Sequence, residues 1–280
     1  MSLENIGAAG MRMPRLGLGT GLLRGAAGQA AIEQALSLGY RHLDTAAMYT
    51  NEPVVGAAVA ASGLGREAVH VTTKLLPEHH APDDVRRAME RSLAALGTGY
   101  VDLYLLHWPN PAVPLADTLG AMMRLKEAGL TRAIGVSNFP SGLLREAVAI
   151  TGGNIACNQV EYHVLLDQSA ILRAAREHGV VVTAYAPLAR GAFHDLPEIQ
   201  RIARKHGAST AQVGLAWLLG QPGVAAIPRA GRMETQRENL LAPSIVLDDE
   251  DRAAIARLPK DRRVVVVDHA PTWDRVESAA

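Results

Sequence analysis

The chain has 280 residues, 48% of them hydrophobic and 20% charged, with 28 basic residues balanced by 28 acidic ones. That balance supplies no long-range field of the kind that gathers nucleic acid or an anionic membrane, so neither partner is expected. A start without a basic, apolar-run leader, and the lack of any apolar stretch long enough to span a bilayer, point to a cytoplasmic protein.

In chain order, "RLGLGT", "RHLDTA", "VHVTTKL", "YVDLYLLHW", "TRAIGVSN", "NIACNQVEY", "VVVTAYAPL" and "VAAIPRA" read as eight short strands. Their compact, β-branched, apolar character is that of strands buried on both faces of a parallel sheet. Between them run amphipathic stretches such as "QAAIEQALSLGY", "APDDVRRAMERSLAALG", "LADTLGAMMRLKEAGL" and "DQSAILRAAREHGV", with apolar residues three and four apart and glycine stops at Gly97, Gly129 and Gly179. Eight such units predict an α/β protein, a (β/α)8 TIM barrel forming one domain over residues 1–280, with an N-terminal extension and a C-terminal tail lying across the barrel. An open dinucleotide-binding sheet would need G-x-G-x-x-G after its first strand; "GLGTGLLRG" has Leu22 where the third glycine belongs. Cys157, the single cysteine, lies in a strand-like segment and reads as a buried structural thiol rather than a nucleophile.

Chemistry in such barrels gathers at the C-terminal ends of the strands. Asp44 ends the second strand, Tyr49 follows in "DTAAMYTNE", Lys74 ends the third and His107 the fourth. Singly, these are a cap, a packed ring, a solvated cation and a core histidine; together they put an acid, a phenol, an ammonium and an imidazole at one mouth. Lys74 would stabilise a Tyr49 phenolate and pull the phenol's pKa down, Asp44 would hold Lys74 charged, and His107 would orient a carbonyl oxygen. None of the four can donate hydride, so a reduction needs a cofactor. Adjacent His79 and His80 read as loop-surface residues that cannot easily share an ion, and no metal site is expected.

"GYRHLDTAAMYTNE", "VTTKL", "YVDLYLLHWP", "IGVSNF", "NQVEYH" and "AYAPLARG" resemble, in order and spacing, the motifs of the aldo-keto reductases along essentially the whole chain. Within that family the sequence is most similar to bacterial 2,5-diketo-D-gluconate reductases, which also reduce methylglyoxal, and the tail "APTWD" supports that subgroup. The resemblance implies an NADPH-dependent reductase of aldehydes and activated ketones with Tyr49 as general acid, acting on a small carbonyl substrate, with NADH less favoured; no exposed heptad or repeat argues for assembly, so a monomer is the default. The resemblance assigns the cofactor to Gly19, Thr20, Ser137, Asn138, Gln159, Tyr185, Leu188 and Asn239 and to the positions of Arg229 and Ala230, with Arg232 on the same segment; Trp108 beside His107, with Met48 and Trp273, reads as the substrate walls.

Two places depart from the family pattern. After the eighth strand, "IPRAGRMETQRENL" has Arg229 for a lysine, Ala230 for a serine and Thr235 for an arginine, with Arg237 one helical turn on. After "TTKL", Leu76 stands where a tryptophan is common. Two other classes compete: a nucleotide-binding, redox-sensing barrel with little turnover, against which the complete acid–phenol–lysine–histidine set argues, and a metal-dependent barrel hydrolase, whose paired histidines are missing from the first strand.

Overall fold

The structure, a computed structural model, describes residues 4–275. Two antiparallel strands, β1 (Asn5–Ala8) and β2 (Met11–Pro14), come first and form a hairpin. Its two-residue turn places Ala9 (φ 46°) and Gly10 (φ 84°) in the left-handed region, the twist that tight hairpins require and that glycine adopts freely. Eight parallel strands follow: β3 (Leu18–Gly19), β4 (His42–Asp44), β5 (His70–Leu75), β6 (Val101–Leu106), β7 (Thr131–Ser137), β8 (Ile155–Glu161), β9 (Val181–Tyr185) and β10 (Val224–Ala226), each pairing with the next in the chain.

The sheet closes on itself. Leu16 bridges to Ala226 in parallel, the Gly17 N–H donates to the Ala226 carbonyl (2.9 Å) and the Ala226 N–H to that of Arg15 (2.8 Å). The expected (β/α)8 barrel is therefore the observed fold. Gly19 belongs to the closure: a Cβ there would lie 2.8 Å from the Ile227 carbonyl oxygen, so no larger side chain fits between β3 and the chain leaving β10.

Ten helices are described: α1 (Gly25–Leu38), α2 (Glu52–Ala61), α3 (Pro82–Leu96), α4 (Leu115–Glu127), α5 (Ser141–Ile150), α6 (Ser169–Glu177), α7 (Pro197–Lys205), α8 (Thr210–Leu219), α9 (Met233–Leu241) and α10 (Asp249–Ala256). Helix α3 shows why the local sequence folds so. Pro82 at the first position needs no partner for an N–H it lacks, Asp83 and Asp84 face the positive helix end, and Gly97 (φ 63°) stops it. Its Val85, Met89, Leu93 and Leu96 pack inward with α2 and α4 residues, while the outer face is charged. Among the described residues no helix is long and apolar enough to cross a membrane.

The floor of the barrel is plugged by the hairpin. Met11 and Met13 are buried against Leu103, Leu105, Ala133, Ala156, Cys157, Val181 and Ala225. Cys157 is the structural thiol its segment suggests: fully buried, with Sγ 3.2 Å from the Thr183 hydroxyl, its pKa pushed up to about 12 chiefly by burial. At the other end the tail crosses the mouth, pairing Asp261 with Leu166 and bringing Trp273 to Trp108 at a ring separation of 6.4 Å.

Candidate active site

The parallel register of β4 and β5 sets Asp44 opposite Thr72, so Lys74, two residues on, reaches back over the strand end. Its Nζ donates to Asp44 Oδ1 (2.6 Å) and to the Thr45 carbonyl (2.7 Å), in a place where the two side chains are 0% and 2% exposed. The other Asp44 oxygen accepts from Gln159 Nε2 (2.7 Å), so the buried carboxylate is answered on both sides by β5 and β8. A lone carboxylate or ammonium at this depth would be costly; as a hydrogen-bonded pair each offsets the burial of the other.

Tyr49 ends a short 3-10 turn, Ala47–Tyr49, and its ring centre lies 5.2 Å from Lys74 Nζ and 6.0 Å from the His107 ring, which it meets edge-on. Three of the four candidate residues thus touch or face one another, and Asp44 anchors the set from behind. The loops are held by Asn51, fully buried just before α2. Its Nδ2 donates to the Thr20 (2.8 Å) and Leu23 (3.0 Å) carbonyls while its Oδ1 accepts from Thr45 (2.8 Å). Asn51 lies in the motif that carries Tyr49 but was not singled out; its signal was a polar residue at a helix start, indistinguishable in sequence from a cap.

The electrostatics correct one expectation. Burial raises the Tyr49 pKa and outweighs the opposing pull of Lys74, with Asp44 adding to the rise. The phenol is therefore a firmly protonated donor rather than one with a depressed pKa. Burial also works against the Lys74 charge, but Asp44 and Tyr49 together overcome it and raise the pKa. Burial, then Lys74 and His269, bring His107 down to about 3, and its buried Nδ1 has no hydrogen-bond partner, so the imidazole is neutral across the physiological range.

Ser137, Asn138, Gln159 and Tyr185 come together beside this set. Ser137 Oγ donates to the Gln159 carbonyl (2.8 Å), Asn138 Nδ2 to the His107 carbonyl (2.9 Å), and the Tyr185 hydroxyl to Asn138 Oδ1 (2.7 Å). Asn138 sits at φ 63°, an uncommon conformation for a non-glycine residue that these bonds fix. Thr20 is buried, its hydroxyl donating to the Asp44 carbonyl (2.9 Å), and Leu188 is half-buried.

The segment after β10 is a separate patch. Arg229, Arg232 and Arg237 are exposed, Ala230 is buried, and Arg232 precedes α9, whose first N–H groups have no side-chain cap. Asn239 is buried on that helix with its side chain at the Tyr40 hydroxyl, which donates to the Gln236 carbonyl (3.1 Å); burial raises the Tyr40 pKa and the contact with Asn239 opposes the rise.

The substrate side has Trp108 buried beside His107, Met48 exposed on the rim and Trp273 half-buried on the tail. Gly21 adjoins the Tyr49 ring, where an added Cβ would meet it at 3.8 Å. His79 and His80 are not a surface pair: His80 is 2% exposed, its carbonyl accepting from Thr118 Oγ1 (2.9 Å), and burial brings its pKa to about 4. Among the described residues no three His, Cys, Asp or Glu side chains are grouped to hold a metal ion.

This constellation at the C-terminal mouth of a parallel barrel defines an oxidoreductase of the aldo-keto reductase class. The sequence matches the model of the aldo/keto reductase family over residues 15–260, and the chain belongs to that family. More particularly, it is 42% identical to the methylglyoxal reductase DkgB of Salmonella typhimurium over 268 residues, covering 94% of this chain and 100% of that protein. It is 40% identical to an aldo-keto reductase of Mycolicibacterium vanbaalenii, with 90% of each chain covered. Among solved structures, a provisionally assigned 2,5-diketo-D-gluconic acid reductase B superposes with a TM-score of 0.93 at 36% identity over 98% of both chains. The thermostable aldo-keto reductase Tm1743 in complex with the inhibitor epalrestat superposes with a TM-score of 0.85 at 38% identity, covering 91% of this chain and 99% of that one.

Proposed function

We propose that the protein reduces aldehydes and activated ketones, α-dicarbonyls such as methylglyoxal foremost, to alcohols with NADPH. The observation that carries this is the buried Lys74–Asp44 pair set beside a protonated Tyr49 and a neutral His107. Bound NADPH would supply the hydride that reaches the carbonyl carbon.

The chain's own residues do the rest. His107 in its neutral form donates a hydrogen bond to the carbonyl oxygen without competing for the proton. Tyr49 gives its proton to that oxygen as charge develops on it, and Lys74 stabilises the phenolate left behind. Asp44, held by Gln159, keeps Lys74 charged and aimed. Trp108 and the tail keep bulk water from the oxygen while the proton moves.

Ser137, Asn138 and Gln159 would hold a carboxamide, whose donors and acceptors match hydroxyl and amide side chains, and Tyr185 would flank its ring. Arg229, Arg232 and the uncapped start of α9 would take the 2′-phosphate, and the Asn239 amide the adenine. NADPH should therefore bind more tightly than NADH; equal dissociation constants would contradict that preference. The activity test is NADPH oxidation with methylglyoxal, expected to proceed with ordinary saturation; binding of NADPH without oxidation by any aldehyde would favour a nucleotide sensor instead.

A further inference from the structure

The C-terminal tail is fixed at two points, and the fixings are more elaborate than covering a barrel end requires. At the first, Glu161, the last residue of β8 and 0% exposed, accepts from the backbone N–H groups of Val264 (2.6 Å) and Val265 (3.0 Å). His163 Nε2 lies 3.0 Å from the same carboxylate and Arg263 Nη1 3.7 Å away. At the second, Asp274 accepts from the Ser141 N–H (2.8 Å) and the Ser141 hydroxyl (2.7 Å) at the start of α5. A buried carboxylate and a helix-end carboxylate thus turn the intervening residues into a strap.

The strap carries two rings to one place. Trp273 meets Trp108 and is backed by the Arg263 guanidinium 3.8 Å over its face. His269 meets Trp108 edge-on at 5.2 Å and is close enough to His107 to depress its protonation. His269 is exposed and makes no hydrogen bond to any described residue, so both its ring nitrogens are unspent at the rim beside the proposed carbonyl-orienting histidine. A histidine held by its ring and free at its nitrogens is arranged to bind something polar.

We infer that His269 is a substrate-contacting specificity residue that hydrogen-bonds the oxygen on the carbon next to the reacting carbonyl, and that Glu161 and Asp274 are positioning residues that hold it there through the strap. The inference rests on the proposed reductase activity and names the substrates it favours: α-dicarbonyls and α-hydroxycarbonyls over plain aldehydes. Trp108 and Trp273 provide the apolar walls, and His269 provides the group that distinguishes a second oxygen from a methylene. Rejecting a substrate that lacks a hydrogen-bonding group is what a polar residue in a pocket does best.

The test compares kcat/KM for methylglyoxal and for propanal, which lacks the second oxygen, in the intact protein, His269→Phe, Glu161→Gln and Asp274→Asn. Phenylalanine keeps the ring contact with Trp108 and removes only the nitrogens. The methylglyoxal-to-propanal ratio should fall about tenfold in His269→Phe, the loss of one good hydrogen bond, mostly through KM and with NADPH affinity unchanged. The two pin variants should lower the same ratio, and combining either with His269→Phe should lower it no further. Asp274→Asn carries the test if Glu161→Gln does not fold. A ratio unmoved in His269→Phe while the intact protein reduces both substrates would overturn the inference and leave the reductase standing. If the intact protein reduces neither, the proposed function itself fails and the inference with it.

Discussion

The two ends of this barrel are built from the same strands and solve opposite problems. At the floor, the first residues of β4 and β5, His42 and His70, lie ring to edge at 4.9 Å, and the hairpin's Met11 and Met13 seal the apolar residues above them. Both imidazoles have pKa values lowered first of all by burial, so the floor holds its titratable groups uncharged. At the mouth, two residues beyond His42 and four beyond His70, Asp44 and Lys74 are as deeply buried and form an ion pair. Burial is therefore not what separates the ends. The difference lies in partners: Gln159 and the Thr45 carbonyl complete the pair at the mouth, whereas the floor offers mainly hydrocarbon and neutral acceptors.

Removing one member of the mouth pair should give the largest effect. Lys74→Met leaves the Asp44 carboxylate buried with only Gln159, costing about 3–5 kcal/mol in urea unfolding, and lowers kcat roughly 10²–10⁴-fold. Adding Asp44→Asn to Lys74→Met should recover most of the stability and none of the activity; if activity returns with stability, the pair is merely structural. Met13→Ala at the floor should cost about 2–5 kcal/mol, as large-to-small changes in a packed core do, with kcat per folded molecule unchanged.

Acid should then sharpen the contrast. His107 titrates near 6.5 when unfolded and at about 3 when folded, so its contribution is fully present above about pH 6.5. As pH falls below that value the unfolded chain takes up the proton first, and about 1.4 kcal/mol is lost per pH unit until the folded pKa is reached. A shallower loss of stability between pH 7 and pH 5 in His107→Phe would verify the sign. The smallest effect belongs to the outer surface, where Lys205 hydrogen-bonds Asp248 at 2.5 Å and lowers its carboxylate to about 2. That carboxylate's stabilisation is complete above its ordinary pKa and fades as pH falls towards 2, so Asp248→Asn should lower Tm slightly at pH 7 and not at all near pH 2.

Much of this was legible from the chain. Strands buried on both faces, with amphipathic helices between them, announce a parallel barrel, and the barrel rule brings strand-end polar residues forward as candidates; the structure sets four of them, Asp44, Tyr49, Lys74 and His107, at one mouth. What could not be read are quantities that exist only after folding. The net shift of the Tyr49 phenol depends on how much water the mouth excludes, which no spacing encodes, and for the same reason His80 looked like a surface residue. Gly19 resembled a cofactor position, yet its missing side chain also admits the Ile227 carbonyl from the far side of the closed sheet. Glu161 was visible within "NQVEYH", but its partners Val264 and Val265 lie 103 and 104 residues away in sequence.

The central claim, that the buried pair serves a proton-donating phenol, is tested most directly by Tyr49→Phe. NADPH oxidation with methylglyoxal and NADPH affinity would be measured side by side in the intact and variant proteins. The account predicts unchanged NADPH affinity and a fall in kcat of roughly 10²–10⁴-fold, the span a general acid contributes. A variant that binds NADPH and turns over within about twofold of the intact protein would contradict it, because the proton would then come from some other group.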